Sequence, residues 1–359
     1  MSPLLILRVH TDLRLGFGHV ARALVLQASW RALGGRALLA VSGDARARTL
    51  GRGEHPFTGA PLPCEVVDLG EDLHAPLPPA LKGEPGVVLL DHWDTAAEDV
   101  AGARPLQVAL HEDEGDAHEA ADVLFQPYLE GVSWPASPLR TVDGRKVRPL
   151  ETKRGACRVL RGTSFVVVDP AALELRPRRE PLQPLAVHKL LVTFGGSDGP
   201  GLAARALQVL GELARTGRWT GTCTVLAPQG DEGSPFAGCK VIRSLPGLTR
   251  RIPEYDALWC AGGLTLAEAQ CMGVPAATWS QNERQAAMLS DIARHGGNLD
   301  LGIGPEADLG ATRDALAQWL GPEGQETRQE QVRDGMALVD GLGASRVAQE
   351  LWNLFQFRP

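Results

Sequence analysis

A short apolar run, Leu4 to Val9, leads into His10-Thr11-Asp12-Leu13-Arg14-Leu15 and then Gly16-Phe17-Gly18-His19, after which Val20 to Arg31 follows a helical pattern. His19 is the side chain of this stretch best suited to moving a proton. Strand, glycine loop and helix in that order put it at or just inside a helix N-terminus, at the carboxyl end of a buried strand. Ligands of open α/β sheets bind there. The positive helix potential disfavours imidazolium, and a neutral imidazole takes a proton from water or from a hydroxyl. The alternative is a histidine that caps or packs.

Two further glycine loops suggest anion chemistry. Gly195-Gly196-Ser197-Asp198-Gly199 and Ala261-Gly262-Gly263-Leu264-Thr265 each follow a strand pattern and precede a helix. Each is expected to aim backbone N–H groups at an oxyanion, and together they suit a diphosphate with no metal. Ser197 and Thr265 add hydroxyl donors. Glu268 lies one turn into its helix, where a carboxylate accepts hydrogen bonds from two ribose hydroxyls; a first-turn acid complementing the helix dipole is the other reading. Neither loop contains the G-K-[ST] of a P-loop, and no G-x-G-x-x-G follows a strand, so a nicotinamide cofactor is not indicated. Asp91-His92-x-Asp94 and His111-Glu112-Asp113-Glu114 offer hard ligands at strand ends, yet zinc-type histidine spacing is absent, so no metal is expected. No G-x-S-x-G elbow marks a serine nucleophile.

The elements that must position these residues alternate between strand and helix. Strands are expected at 4–9, 37–41, 64–69, 87–90, 107–111 and 123–125, then at 189–194, 223–226, 240–243, 257–260 and 275–279, with helices dominating afterwards. Such alternation implies parallel sheets with right-handed crossovers. Val347, Leu351, Leu354 and Phe355 suggest an amphipathic last helix packing back toward the first half. A chain of 359 residues divides into two domains. Residues 128–161 hold eight Arg or Lys against Glu130, Asp143 and Glu151 and read as an extended basic insertion, either a solvated face or a field that attracts an anionic substrate. The Pro/Arg-rich stretch 176–188 reads as a linker. Net charge is −7, which speaks against nucleic acid as the main partner. The six cysteines form no C-x-x-C pair and suit a reducing, cytoplasmic setting, and neither a signal peptide nor a membrane span is expected. Among the eight tryptophans, Trp93, Trp134 and Trp279 lie near candidate sites.

Taken in order, Gly16-Phe17-Gly18-His19-Val20-Ala21-Arg22, Asp91-His92-Trp93, Gly195-Gly196-Ser197-Asp198, Gly262-Gly263-Leu264-Thr265-Leu266-Ala267-Glu268 and Gly273-Val274-Pro275 resemble the UDP-2,4-diacetamido-2,4,6-trideoxy-β-L-altropyranose hydrolase family of pseudaminic acid biosynthesis. That family is related to the GT-B glycosyltransferase that makes lipid II. The resemblance covers most of residues 4–295 and implies two Rossmann-like, doubly wound α/β domains with an interdomain cleft: residues 1–175 with the catalytic loop, a linker at 176–188, and a nucleotide-binding domain at 189–359. It implies that His19 is the general base and that water attacks the anomeric carbon with inversion. Asp12, Gly16, Gly18, Arg22, Asp91, His92, Trp93 and Asn282 would hold the substrate. Gly195, Gly196, Ser197, Gly262, Gly263, Leu264, Thr265 and Glu268 would hold UDP, with no cofactor. Trp93 stands where the family has tyrosine, Asn282-Glu283 where it has Asn-Gln, and His111-Glu112-Asp113 where it often has Asp-Asp. These departures fall on the sugar pocket rather than the nucleotide pocket. They keep two alternatives open: a GT-B glycosyltransferase with a UDP-sugar donor, and a non-catalytic sugar-nucleotide-binding paralogue.

Overall fold

The structure is a computed structural model that describes residues 2–12, 17–56, 59–92, 95–113, 115–127, 140–142, 145–147, 151–154 and 157–356. The expectations for Gly16, Trp93, Asp94, Glu114, Trp134 and residues 128–139 lie outside the described residues. The chain divides into two compact units, Met1–Val167 with Leu342–Pro359, and Val168–Gly341.

The first unit contains β1 (Leu4–Thr11), α1 (Gly18–Ala32), β2 (Arg36–Gly43), α2 (Ala45–Gly51), β3 (Glu65–Asp68), α3 (Pro79–Lys82), β4 (Gly86–Asp91), α4 (Ala97–Ala103), β5 (Gln107–His111) and β6 (Val123–Gln126). The strands β7 (Arg140–Val142), β8 (Arg145–Val147), β9 (Glu151–Arg154) and β10 (Cys157–Arg161) follow. One sheet runs β3-β2-β1-β4-β5-β6-β10-β9, and β7 and β8 pair separately. All its neighbours are parallel except β9, which runs antiparallel to β10. The reversal of strand order at β1 and β4 makes their carboxyl ends the switch point where ligands of such sheets bind.

Every residue of β1 is buried, as a central parallel strand covered on both faces must be. Leu5, Leu7 and Val9 pack with Leu26 and Trp30 of α1, while Leu4 and Ile6 join Val100 and Leu106 on the other face. Arg8 and His10 follow Leu4 and Ile6 in the alternation. The Arg8 guanidinium donates to the carbonyls of Val9 (2.8 Å) and Leu73 (2.6 Å), tying the loop after β3 to the sheet.

Two expectations change here. Residues 157–161 are not part of an extended insertion. Cys157, Val159 and Leu160 are buried and β10 pairs with β6, while Arg158 reaches out to Glu350 at 3.2 Å. Its two arginines mask the strand in the composition, although Arg161 is itself buried and only Arg158 is half-exposed. The last helix, α12 (Gly343–Gln356), packs on the first half as its apolar stripe suggests, and it is counted with the first unit rather than within the 189–359 bounds. Val347 and Leu351 are buried with α1, and Trp352 meets Trp30 at 5.0 Å. A Cβ at Gly343 would lie 1.9 Å from the Val166 carbonyl oxygen, so only glycine allows this close approach.

The second unit contains α5 (Pro170–Glu174), β11 (Lys189–Thr193), α6 (Leu202–Arg215), β12 (Thr222–Leu226), β13 (Cys239–Ile242), α7 (Leu248–Arg251), β14 (Ala257–Cys260) and α8 (Gly263–Met272). It continues with β15 (Ala276–Ser280), α9 (Glu283–Arg294), β16 (Leu299–Ile303), α10 (Leu309–Leu320) and α11 (Gln325–Leu338). Its parallel sheet runs β13-β12-β11-β14-β15-β16, the same winding as the first six strands of unit 1. The edge strand β16 was not expected, because Asp300 and Gly302 interrupt its apolar alternation.

The boundary also shifts. Residues 168–175 and the proline-rich 176–188 lie within the second unit. The Arg176 guanidinium donates to the carbonyls of Cys271 (2.9 Å), Val339 (2.7 Å) and Met336 (2.7 Å). Arg328, fully buried, donates to the carbonyls of Pro184 (2.7 Å), Leu185 (3.1 Å) and Gly321 (3.0 Å), and to that of Trp319. A stretch that donates from Arg176 to three carbonyls elsewhere in the unit, and whose own carbonyls satisfy the buried Arg328, is a strap rather than a spacer. No helix among the described residues is long and apolar enough to cross a membrane. Arg328→Ala should destabilise the second unit by about 3 kcal/mol or more, because several buried carbonyls lose a charged donor at once. Denaturant titration of the variant checks this.

Candidate active site

His19 sits in the first turn of α1, and Arg22 follows three residues later on the same helix face. Both reach Asp91, the last residue of β4. Nδ1 of His19 lies 2.6 Å from Oδ1 of Asp91. The Arg22 guanidinium donates from Nε to Asp91 Oδ2 (2.8 Å) and from Nη2 to Oδ1 (2.7 Å), and from Nη1 to Oε1 of Glu112 (2.5 Å). His19, Arg22 and Asp91 are 3%, 4% and 1% exposed, so these charges interact with little water between them.

Burial pushes the Asp91 carboxyl up, but Arg22 and then His19 outweigh it and hold the group well below the usual carboxylate range. Glu112 is lowered by the same contest, burial against Arg22 and His111. An ionised Asp91 only accepts hydrogen bonds. The 2.6 Å contact therefore puts a hydrogen on His19 Nδ1 and leaves the lone pair on Nε2. That is the arrangement of a base oriented by a carboxylate. Arg22 Nη2 also lies 3.2 Å from His19 Nδ1, so the three groups form one packed cluster.

Asp91 and Arg22, expected to touch substrate, are thus engaged with His19 and with each other. Glu112 was named from the sequence only as a hard-ligand candidate at a strand end, not as a partner of Arg22. The only available signal was an acidic residue just past a strand end. Gly18 opens α1 with nothing within 4 Å of a Cβ position, so its space is open rather than required. Asp12 lies 3.6 Å from Nε2 of His10, whose Nδ1 meets the Ser42 hydroxyl at 2.8 Å. His92 is buried with its ring edge-on to His74 at 6.3 Å. Of the hard-ligand candidates, Asp91 and Glu112 are bound to Arg22, and Asp113 accepts from the Thr95 amide (3.1 Å) and hydroxyl and from the Gly115 amide (2.8 Å). Among the described residues, no three His, Cys, Asp or Glu side chains gather as a cation site.

His111 and His92 are strongly perturbed. Burial, reinforced by Arg22, pulls His111 down to about 4; burial, reinforced by Arg8, pulls His92 down to about 3. Both ring nitrogens of His111 and Nδ1 of His92 have no hydrogen-bond partner among the described residues. In the unfolded chain both rings titrate near 6.5. The unfolded state therefore binds more protons between that value and about 4, and stability is lost as the pH falls through this window. Thermal melts from pH 7 to 4 should show it, and His111→Phe should flatten the slope.

In the second unit the two glycine loops differ. At the start of α6 the Asp198 carboxylate accepts from the amides of Leu202 (2.8 Å) and Ala203 (3.0 Å). An internal carboxylate thus occupies the anion position expected of loop 195–199, and burial raises its pKa. Gln229 donates to the Ser197 carbonyl at 2.9 Å. Gln281, unmarked in the sequence reading, donates to the Phe194 carbonyl at 2.6 Å and lies 3.7 Å from a Cβ position at Gly195. The start of α8 has no side-chain cap. Gly262 (φ +91) and Gly263 (φ +66) bring the chain into the helix, and a Cβ at Gly262 would lie 2.7 Å from Leu289. The amides at Gly263, Leu264 and Thr265 are the ones suited to an anion.

Glu268, one turn on, is 7% exposed. Burial raises its pKa to about 7, against hydrogen bonds from the Thr249 hydroxyl and the Asp169 amide. Asn282 caps α9, its side chain accepting from the Gln285 amide at 2.9 Å. Trp279 is fully buried against Phe194 and Trp259 and belongs to the core rather than to a pocket wall.

Against known proteins, the chain resembles MurG of Acinetobacter baumannii over 98% of its length and 100% of that chain, with a TM-score of 0.62 at 12% identity. The calicheamicin glycosyltransferase CalG4 aligns over 99% of both chains, with a TM-score of 0.59 at 14% identity. The fold is of the GT-B type. Glycosyltransferase VinC, solved with DTDP, has a TM-score of 0.54 at 14% identity over 98% of this chain and 99% of its own. At these identities the likeness is one of fold. In sequence, the chain is 32% identical over 120 residues to the spore coat polysaccharide biosynthesis protein SpsG of Bacillus subtilis (strain 168), which is 33% of this chain and 34% of that protein. The match therefore spans about a third of the relative's length. No family model matches the chain.

Proposed function

We propose that this chain is a nucleotide-sugar enzyme that transfers a glycosyl group to a hydroxyl with inversion at the anomeric carbon, His19 acting as general base. The observation that carries the reading is the 2.6 Å contact between His19 Nδ1 and Asp91, which leaves Nε2 as a proton acceptor. The GT-B fold shared with glycosyltransferases, and the partial match to a polysaccharide biosynthesis protein, support the substrate class. In this reaction Nε2 takes the hydroxyl proton as the acceptor oxygen bonds to the anomeric carbon. The bond to the phosphate oxygen breaks and its electron pair leaves with the nucleoside diphosphate. Within the second unit, the amides at Gly263, Leu264 and Thr265 and the α8 dipole are the groups suited to a diphosphate. Glu268 exchanges its internal donors for ribose hydroxyls.

A hydrolase, with water in place of the acceptor, is the second reading. The ordered motifs from Gly16-Phe17-Gly18-His19 to Glu268 favour it, and the UDP-linked diacetamido-trideoxy sugar of the resembled family is then the substrate to try first. Incubation with UDP- and TDP-sugars, with and without added acceptor alcohols and a chelator, separates the two. Nucleotide release that depends on acceptor supports transfer; release into water alone supports hydrolysis.

His19→Ala should lower kcat by about 10²–10⁴-fold while donor affinity stays similar. Glu268→Ala should cost about 1.5–3 kcal/mol of nucleotide affinity, the worth of a hydrogen bond to a charged group. Calorimetry with UDP measures it, and unchanged binding removes the ribose assignment.

A further inference from the structure

Glu112 lies just past β5, outside any role assigned so far. Its backbone takes a left-handed conformation, φ +54, which side chains disfavour. Its amide donates to the Phe125 carbonyl at 2.9 Å, which fixes the turn, and its carboxylate accepts from Arg22 at 2.5 Å. Arg22 in turn grips both oxygens of Asp91. The result is a clamp that draws together α1, the end of β4 and the end of β5, with His19 at its centre.

We infer that Glu112 and Arg22 are positioning residues that keep Asp91 an ionised acceptor and thereby hold the proton of His19 on Nδ1. As a catalytic device this rests on the reading of His19 as general base. The physical reason is charge balance. A carboxylate as buried as Asp91 takes up a proton unless a cation compensates it. Protonated, its hydroxyl could donate to Nδ1 and favour the tautomer with hydrogen on Nε2. Arg22 supplies the cation in bidentate geometry, which lysine cannot reproduce. Glu112 holds the third guanidinium nitrogen, so the fork cannot turn away from Asp91. A strained backbone bearing a charged side chain into a buried ion cluster is the pattern of a residue retained for a site.

The test uses the full chain with Glu112→Gln, Arg22→Lys and Glu112→Gly. Nitrogen NMR of labelled imidazole reads the tautomer of His19, assigned by loss of its signals in His19→Gln. The wild type should show a single form with hydrogen on Nδ1, and Glu112→Gln and Arg22→Lys should both lose it to a mixture. In a working assay, kcat should fall about 10–100-fold at constant donor KM, a part of what a general base is worth. Glu112→Gly removes the carboxylate and the left-handed penalty together. A positioning role predicts a protein that melts no lower than Glu112→Gln yet has lost the His19 signature. A merely structural role predicts lowered melting with His19 unchanged. His19 signals matching the wild type in both Glu112→Gln and Arg22→Lys overturn the inference. If the wild type turns over no nucleotide sugar, the functional reading fails, and the tautomer comparison still decides the clamp.

Discussion

The first unit is organised around a charge that has no water to stabilise it. Asp91 ends a central strand and is 1% exposed. Taking a carboxylate from water costs several kcal/mol even after relaxation. A unit charge about 4 Å away returns about 4 kcal/mol at an effective dielectric of about 20. One cation therefore roughly breaks even, and a second contact is needed for the ionised form to win clearly. Arg22 in bidentate contact, with His19 beside it, tips the balance. The placement of α1 follows: its first turn must face the end of β4, and the loop after β5 must bring Glu112 to the remaining guanidinium nitrogen. The apolar packing of Leu26 and Trp30 against β1 and α12 holds the helix in that register.

The second unit handles charge in the opposite way. Both α6 and α8 follow glycine loops, and the difference between the two lies in which amides are already used. Asp198 turns back on α6 and satisfies two of them. The first turn of α8 has no such side chain. Helix N-termini attract anions through unpaired amides and the dipole together, so an internal carboxylate decides which end can still take one. Glu268 extends this economy. It sits on a helix whose residues from Leu266 to Met272 are all buried, and its raised pKa records how little solvent reaches it.

Much of this was legible in the residues. Continuous apolar runs such as Leu4-Leu5-Ile6-Leu7 and Val87-Val88-Leu89-Leu90 mark strands covered on both faces. Glycines at their ends mark the turns into helices. The doubly wound plan of both units follows from that alternation. His19 stood out because strand, loop and helix place it at a ligand-binding edge. Strands whose side chains mix charge with apolar residues, such as β10 and β16, escaped notice, because alternation is decided by which neighbour covers them.

What the sequence determined by itself is local: which segments extend, which coil, and which side chains stand at their ends. These follow from backbone geometry and the period of the apolar pattern, both short-range. Partners were decided only by the tertiary structure. Arg22 and Asp91 are far apart in the chain and were each expected to face a substrate. Folding brings them together, because a buried charge is tolerated only where an opposite one meets it. The same long-range rule made a strap of the proline-rich stretch, through the half-buried Arg176 and the buried Arg328. It set Trp352 against Trp30, a pairing that the apolar stripe of the last helix does not name. It also separated an occupied glycine loop from an open one. Spacing records none of these pairings, since each depends on burial, and burial is a property of the whole fold.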